Sequence, residues 1–507
     1  MCRRVIAGLV GALCALLPVS AASARTASVR SFDGTAIHVN FFTAVGLAPG
    51  KRVPTVLLGP GWGSPGDTNP NDTTSVAGGS PGVGTLRRAG FNVLTWDPRG
   101  FGVSGGKAEV DKPGYEGRDV SALISWLAHR PEALLERPGD PRVGMAGGSY
   151  GGGIQLVAAA GDHRIDAIVP DIAWHSLLTS LDKYNTPKLG WGTLLYDVAS
   201  LGSARLDPLI GDSYETEVAG NPLTAAERNF YAASGPAALV GKIRAPTLLV
   251  QGTVDDLFTL QEAVDNYTIL HRDGVPLKML WFCGGHGICL TNPGNTALIQ
   301  RDTLAWLDRY LKREPKVNTG QTMQWVDQNG GEHTGTGYPL PGAGTLSAHG
   351  AGTLPVNATG GSGPAIPAPG AGTLGTFAAK VTPARASNAV DIRVGSPNRP
   401  ALVVGAPQLT TTYHGRSTNH HATTSLYAQI LDDATGKVLG NQVTPVPITL
   451  DGATHTLTVR LEILSATDRP GEHFTLQLTP STVAYVTQSA LGSVTFSAIR
   501  VVLPLVK

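Results

Sequence analysis

The chain has 507 residues, which is too long for one ordinary hydrophobic core, so we expect at least two domains. Its 39 Lys and Arg residues balance 38 Asp and Glu, without a block of like charge, which argues against nucleic acid or an anionic membrane surface as the main partner. The 64 glycines and 36 prolines favour loops and β-structure over a long helical array.

Segment 1–24 has the pattern of a cleaved signal peptide. Arg3 and Arg4 precede an apolar run over 5–19, and Ala22-Ser23-Ala24 supplies the small residues that signal peptidase requires. We therefore predict export to the cell envelope or medium, with the mature chain starting near Arg25. A membrane anchor is the alternative, but the run is short for crossing a bilayer and no second long apolar run follows, so we expect no stable span after cleavage.

Residues 25–315 alternate strand and helix patterns. The segment opens with a hairpin whose turn is predicted at Asp33-Gly34. Helical patterns cover 118–130 and 296–314. Short, almost wholly apolar runs, typical of strands buried on both faces, occupy 54–59, 91–96, 142–147, 165–170, 246–252 and 277–282. This alternation predicts an α/β domain with a mostly parallel sheet covered on both faces.

One connection in this domain, about 171–245, is far longer than the others. It contains two helical patterns and reads as a helical cap over the strand ends, because a long insertion in a compact domain is usually functional. Its aromatic residues Trp174, Trp191 and Tyr196 are candidates for the wall of a substrate pocket.

The sequence changes character after residue 315. Residues 316–398 are predicted to be a Gly/Ala/Pro-rich connector that includes the first strands of a C-terminal domain, and the three GAGTL copies at Gly342, Gly350 and Gly370 are interpreted as long loops or a partly mobile connector. Residues 399–507 show alternating β-patterns separated by turn signals, which predicts an all-β sandwich of the jelly-roll type.

The segment GGSYG, residues 147–151, places Ser149 between a predicted strand and a predicted helix. In that context G-x-S-x-G puts a serine on a strained turn at the strand end, with small neighbours where a larger side chain would clash. The start of the helix also favours developing negative charge. Ser149 is therefore our candidate nucleophile, although a simple glycine-rich turn would look the same.

A serine nucleophile needs a base, and the base needs a carboxylate that orients it. In this architecture the acid comes first and the histidine second. Asp255 follows one buried strand and His286 follows the next, which makes them the candidate acid and base. Asp256 is the alternative acid, either residue could merely cap the next helix, and His286 could be an ordinary loop histidine.

Acyl transfer also requires donors to the oxyanion. We assign one to the backbone N–H of Tyr150, directly after the serine, and the second to the backbone N–H of Trp62 in GPGWG. The glycine-rich run around Trp62 could instead be only a turn. Arg99, in WDPRGFGVSGG, is interpreted as a structural residue that ties loops together.

Two cysteines remain after the signal segment, Cys283 and Cys289, and they flank His286. In an exported protein they are most simply a small disulfide that restrains the histidine loop. Cys-x-x-His-x-x-Cys could also supply three metal ligands, but no fourth ligand is evident, so we predict no metal and no cofactor.

Taken together, GGSYGG, DPRGFGVSGG, QGTVDDLF and GGHG, followed by a β-rich tail, resemble the Xaa-Pro dipeptidyl-peptidase-like and cocaine-esterase-like serine hydrolases. The resemblance implies an α/β-hydrolase fold with a helical cap insertion and an all-β, jelly-roll-like C-terminal domain that helps wall the active site. It also implies Ser149 as nucleophile, Asp255 as acid and His286 as base. This sequence departs from the family at GPGWG, where well-known members carry a tyrosine whose hydroxyl donates to the oxyanion.

These inferences predict a serine hydrolase that cleaves an ester or amide bond of a small ester or peptide. A dipeptidyl peptidase needs an anion for the substrate amine, for which Asp182, Asp207 and Glu215 are candidates, whereas a carboxylesterase needs only an apolar pocket. We place the Xaa-Pro-type peptidase first and the carboxylesterase second. A non-catalytic protein that binds envelope polysaccharide on a hydrolase scaffold is the third possibility. The sequence does not indicate an oligomeric state.

Overall fold

A computed structural model describes residues 24–74, 79–367, 372–419, 421–486 and 489–507. The predicted signal peptide 1–24 lies, apart from Ala24, outside the described residues. The third GAGTL copy also begins outside them, at Gly370.

A ten-stranded sheet organises the first part of the chain, in the order β1-β2-β4-β3-β7-β8-β9-β10-β11-β12. Its strands are β1 (Arg25–Arg30), β2 (Ala36–Phe42), β3 (Thr55–Leu58), β4 (Asn92–Trp96), β7 (Val143–Gly148), β8 (Ile165–Asp171), β9 (Thr247–Gly252), β10 (Leu277–Phe282), β11 (Met323–Val326) and β12 (Glu332–Gly335). Between β7 and the preceding helix lies a small hairpin, β5 (Leu135–Arg137) and β6 (Asp140–Pro141). Neighbouring strands from β4 to β11 are parallel, and β1, β2 and β12 pair antiparallel at the two edges.

Helices cover both faces of this sheet, as the buried strands require. They are α1 (Val83–Arg88), α2 (Glu116–Leu127), α3 (Tyr150–Gly161), α8 (Leu260–Arg272) and α9 (Leu298–Tyr310). Alternate strand residues point into different cores: Leu57 and Leu94 pack with α2, α3 and α8, while Val56 and Val93 pack with α1 and α9. The predicted α/β class and the predicted opening hairpin are confirmed.

The cap lies between β8 and β9. Its helices are α4 (Leu177–Leu181), α5 (Leu189–Leu201), α6 (Pro208–Val218) and α7 (Ala225–Ala232), with short 3-10 turns at Lys183–Asn185 and Val240–Lys242. Asp207 caps α6 through a bond from the Leu209 N–H, 3.0 Å, and Thr224 caps α7 with Glu227 in a capping box. The cap packs on the domain of the ten-stranded sheet through an apolar cluster that includes Trp174 and Tyr150.

The C-terminal domain consists of two antiparallel sheets that share one apolar core. One sheet contains β13 (Gly342–Val356), β15 (Ala401–Gly405), β16 (Gln408–Ser417), β20 (Asp451–Arg460), β21 (Leu464–Asp468) and β23 (Gly492–Val506). The other contains β14 (Val390–Val394), β17 (Thr423–Asp432), β18 (Lys437–Val438), β19 (Thr444–Thr449) and β22 (Phe474–Thr479). The helix α10 (Gly372–Val381) and a 3-10 turn at Leu439–Asn441 complete it. The predicted all-β C-terminal domain is confirmed.

The structure corrects the interpretation of the first two GAGTL copies as loops. Both lie in β13, which pairs with β23 along its whole length. Glycine suits this strand because it packs closely on β14: a Cβ at Gly350 would lie 2.2 Å from Ile392 Cδ1, and one at Gly352 would lie 2.8 Å from Val390 Cγ1. Beyond residue 315, β11 and β12 also extend the main sheet before the C-terminal domain begins.

Within the described residues, no helix is both long enough and apolar enough to cross a membrane.

Candidate active site

Ser149 occupies a sharp turn between β7 and α3. Its backbone has φ 58° and ψ −119°, a conformation that costs about 1–3 kcal/mol for a residue with a side chain. The turn brings the chain so close to β3 that a Cβ at Gly147 or Gly151 would lie 2.5 or 2.3 Å from the Gly59 carbonyl oxygen. Close backbone approach thus requires glycine at 147 and 151, and Ser149 lies at the carboxyl end of β7.

His286 joins Ser149 to Asp255. The His286 Nε2 atom lies 2.8 Å from Ser149 Oγ, and Nδ1 lies 2.8 Å from Asp255 Oδ2. An ionised carboxylate only accepts hydrogen bonds, so Nδ1 carries the proton of a neutral imidazole and Nε2 is free to accept the serine proton. The structure therefore brings together the three side chains that the sequence selects.

Asp255 and its neighbour Asp256 have different surroundings. Asp255 is fully buried; its Oδ1 accepts from the backbone N–H groups of Leu257, 3.1 Å, and Phe258, 2.9 Å, while Oδ2 faces the imidazole. The Asp256 carboxylate instead accepts from the Thr382 hydroxyl, 3.2 Å. Burial raises the pKa of Asp256 to about 8, and the charge of Asp255 adds to this rise. The geometry assigns the contact with histidine to Asp255.

The loop that carries His286 is closed by a disulfide between Cys283 and Cys289. The three-ligand metal arrangement is not present, because both sulfurs are bonded to each other and both ring nitrogens of His286 face Asp255 and Ser149. Over the described ranges, no group of three His, Cys, Asp or Glu side chains is placed to hold a metal ion.

Two aromatic rings fix the imidazole from the sides. Phe258 meets the His286 ring edge to face at 5.0 Å between centroids, and Trp191 does so at 5.9 Å. Trp191 is predicted to line the pocket, but the structure packs it on the histidine instead. Such edge-to-face contacts restrict rotation of the imidazole.

A mostly apolar cavity beneath the cap is lined in part by Ser149, and its empty volume is about 890 Å³ including the open solvent at its mouth. The predicted residues Trp174 and Tyr196 line it, and Tyr196 stacks on Tyr214 at 4.4 Å. Other apolar walls come from the cap and from the loop after Asp255; they include Leu177, Leu181, Leu195, Ile210, Leu223 and Phe258. Mostly apolar walls with a few polar groups are typical of small-molecule sites.

Two carboxyl groups reach this cavity, Asp182 and Glu217. Asp182 Oδ2 pairs with Arg228, while the buried Oδ1 atom has no partner within the described chain. Burial, followed by the charge of Asp182, raises the pKa of Glu217 to about 8, so Glu217 is largely protonated at neutral pH. The other two candidate anions lie elsewhere: Asp207 caps α6 and Glu215 is exposed.

Sequence reasoning missed Glu217. The helical spacing of Ile210, Ser213 and Glu217 is the sequence feature that indicates its position, because this spacing places all three on the buried face of α6. A buried carboxyl on such a stripe needs a partner or a function.

The two residues predicted to supply oxyanion donors, Trp62 and Tyr150, line the same cavity as Ser149. Tyr150 begins α3, and Trp62 follows β3. The Trp62 ring lines the cavity, its indole N–H donates to the Leu195 carbonyl at 3.0 Å, and it meets the Tyr150 ring at 5.2 Å. That indole bond connects the cap to the loop after β3. The role of the backbone N–H groups of Trp62 and Tyr150 as oxyanion donors stays a prediction.

Arg99 has the predicted structural position. Its guanidinium binds Asp119 through two bonds of 2.7 Å and Asp33 through one of 3.1 Å, with almost no exposure of its own side chain. The guanidinium thus links the opening hairpin and α2 to the loop after β4.

A parallel sheet with a serine on a strand-to-helix turn, contacting a histidine from a later loop, defines the α/β-hydrolase class. The sequence profile of the X-Pro dipeptidyl-peptidase family (S15) matches residues 33–287, about half of the chain. The chain belongs to this family of serine hydrolases, whose members are peptidases or esterases.

Relatives and solved structures agree with this assignment. A Rhodopirellula baltica protein provisionally named an Xaa-Pro dipeptidyl-peptidase is 26% identical over 282 residues, 49% of this chain and 43% of its own length. This chain spans less than half the length of the curated relatives it matches.

Among solved structures, an α-amino acid ester hydrolase has a TM-score of 0.71 at 15% identity, covering 95% of this chain and 96% of that one. An aminopeptidase from a marine sediment Thaumarchaeota archaeon has a TM-score of 0.68 at 14% identity, covering 96% and 97%. At these identities the likeness shows the fold, including the cap and the C-terminal β domain.

The disulfide generates a first prediction. Replacing both Cys283 and Cys289 by serine should lower the free energy of unfolding by about 2 kcal/mol. The reason is that the bond no longer restricts the unfolded chain, and the effect is modest because the closed loop is short. Urea denaturation of the double variant and wild type measures this difference. An unchanged midpoint and slope would show that the bond does not restrain the loop.

Proposed function

We propose that Ser149, His286 and Asp255 form a catalytic triad that cleaves an ester or amide bond through an acyl-enzyme. The observation that carries this proposal is the continuous chain of two 2.8 Å contacts from Ser149 Oγ through the imidazole to Asp255 Oδ2. The strained serine backbone and the full burial of Asp255 are further support, because both are typical of preorganised nucleophiles.

In the first half of the reaction, Ser149 Oγ attacks the substrate carbonyl carbon while its proton passes to His286 Nε2. The resulting oxyanion accepts hydrogen bonds from the backbone N–H groups of Tyr150 and Trp62. The bond to the leaving alcohol or amine then breaks, and His286 gives its proton to that leaving group. Water next attacks the acyl-enzyme with His286 as base, which releases the acid and returns the proton to Ser149.

For the substrate, we propose an acyl group that carries a free amine, as in an Xaa-Pro dipeptide. Asp182 and Glu217 provide two carboxyls on the cavity wall, and Asp182 Oδ1 is buried without a partner among the described residues. A substrate ammonium beside them would favour ionisation of Glu217, since an opposite charge stabilises a carboxylate. The apolar walls would hold the remainder of the acyl group.

A carboxylesterase with an uncharged acyl substrate is the second candidate. Two observations favour it: Asp182 already pairs with Arg228, and burial raises the pKa of Glu217 to about 8. Both facts reduce the negative charge that a substrate amine would meet at neutral pH.

We further propose that the protein is exported and cleaved after Ala24. The first strand begins at Arg25, directly after the proposed site, and the Cys283–Cys289 disulfide suits an oxidising compartment.

The proposed triad predicts that Ser149→Ala lowers kcat/KM on p-nitrophenyl esters and peptide anilides by at least about 10³-fold, because the acyl-enzyme can no longer form. Asp256→Asn, beside the acid but without contact to the imidazole, should retain most of the activity, whereas Asp255→Asn should not. Comparable losses in the two aspartate variants would contradict the assignment of the acid.

The proposed amine site predicts that wild type prefers Ala-Pro-p-nitroanilide to its desamino analogue propionyl-Pro-p-nitroanilide. Glu217→Gln should raise KM for the amine substrate about tenfold, because a hydrogen bond between the ammonium and a charged carboxylate is lost. The KM for the desamino analogue should not change. Glu215→Gln, exposed on the same helix, is the matched control. Equal cleavage of both substrates by wild type would instead support the uncharged-acyl esterase.

The proposed export predicts that protein recovered from the cell envelope or medium starts at Arg25 when its N-terminus is sequenced. Ala24→Leu should block cleavage, because signal peptidase needs a small residue there, whereas Ser23→Ala should not. A wild-type N-terminus at Met1 in the recovered protein would overturn the proposal.

A further inference from the structure

A tight turn of the C-terminal domain reaches the loops that carry Asp255 and His286. The turn comprises residues 438–442, is buried, and contains a 3-10 segment at Leu439–Asn441. Gly440 has φ 68° and Asn441 has φ 53°, so two consecutive residues adopt the left-handed conformation. Glycine and asparagine are the residues that adopt it at lowest cost.

The side chains of Asn441 and Gln442 donate to backbone carbonyls of both catalytic loops. Asn441 Nδ2 donates to the Ile288 carbonyl at 2.9 Å and to the Val254 carbonyl at 3.4 Å. Gln442 Nε2 donates to the carbonyl of Asp255 itself at 2.6 Å. One turn therefore holds the residue before the acid, the acid, and the second residue after the histidine.

The loops that carry Asp255 and His286 pack closely on each other and on the turn. A Cβ on Gly287 would lie 2.1 Å from the Val254 carbonyl oxygen and 3.2 Å from Asn441 Nδ2. The histidine loop thus lies directly on the acid loop, with the Asn441 amide between their carbonyls. A movement of the turn would be transmitted to the distance between Asp255 and His286.

Gln328 fixes the turn from the main sheet. Its Oε1 accepts from the Gly440 N–H at 2.6 Å, and its Nε2 donates to the Val438 carbonyl at 3.1 Å. Gln328 follows β11, which pairs in parallel with β10, the strand that leads into the histidine loop. The turn is therefore hydrogen-bonded to a residue that follows a strand of the same sheet that carries the catalytic loops.

The segment after Asp255 has a second connection to the C-terminal domain. Buried Glu462 accepts from the Thr259 hydroxyl at 2.8 Å and forms an ion pair with Lys183 of the cap. Attraction by Lys183 keeps the pKa of Glu462 below its usual range despite burial, so the carboxylate is charged. The acid loop is thus held on both sides by residues distant in sequence.

We propose that Asn441 and Gln442 are positioning residues for the hydrolysis: the C-terminal domain sets the Asp255–His286 geometry through their two amides. This inference rests on the proposed triad. It gives the C-terminal domain a role in the chemical step, since small displacements of catalytic groups reduce rates by large factors. The substrate cavity is formed mainly by the cap and the catalytic domain, so substrate binding should be nearly independent of these amides.

The test uses Asn441→Gly, which keeps the left-handed backbone and removes the donor, and Gln442→Met, which keeps the length and removes the donor. Each should lower kcat on a p-nitrophenyl ester about tenfold or more and change KM less than about threefold. The rate of Ser149 labelling by a fluorophosphonate should fall in parallel. That reaction also needs the serine proton to pass to His286, and its leaving group is fluoride, whatever ester is used in the kinetic assay.

Gln429→Met is the matched control. Gln429 is a buried glutamine of the same domain, and its amide donates to Ala384 and Gln477 of that domain rather than to a catalytic loop. It should lower the melting temperature without a change in kcat or labelling rate. A loss of kcat in this control equal to that in Gln442→Met would show that general loosening of the domain explains the effect.

The outcomes separate this inference from the proposed triad. If Ser149→Ala retains activity, the triad itself is wrong. If Ser149→Ala is inactive while folded Asn441→Gly and Gln442→Met keep kcat and labelling rate within twofold of wild type, only the positioning role is wrong. Should Asn441→Gly fail to fold, as judged by circular dichroism, Gln442→Met alone decides.

Discussion

The proposed hydrolysis depends on the hydrogen-bonded series of contacts from Asp255 through His286 to Ser149. A neutral imidazole is a more effective base for the serine proton when its other nitrogen donates to a carboxylate, and two backbone N–H groups hold the buried Asp255 where it accepts that bond. Three loops from distant parts of the sequence must therefore meet within hydrogen-bonding distance at one edge of the sheet.

Each surrounding part of the molecule limits the movement of this chain of contacts. Close approach to Gly59 forces the serine turn, the disulfide closes the histidine loop, and the aromatic rings of Phe258 and Trp191 hold the imidazole. The cap supplies most of the apolar cavity, and the C-terminal domain supplies the two amides beneath the loops. Contacts from the sheet domain, the cap and the C-terminal domain thus together fix the geometry of the site.

Much of this arrangement could be predicted from the sequence. In a parallel sheet the strand ends share one edge, so residues directly after buried strands, such as Ser149, Asp255 and His286, are expected to meet there. Glu217 and Asn441 could not be selected in the same way, because their importance comes from contacts with distant segments. The GAGTL copies in β13 were misinterpreted because glycine usually weakens strands, whereas here it permits close packing on β14.

The most direct measurement is the mass spectrum of peptides from wild-type protein trapped as an acyl-enzyme, by rapid acid quench with a slowly hydrolysed p-nitrophenyl ester. The account predicts that the acyl group is attached to the peptide containing Ser149 and, on fragmentation, to that residue. Stoichiometric release of p-nitrophenol with the acyl group on another residue would contradict it.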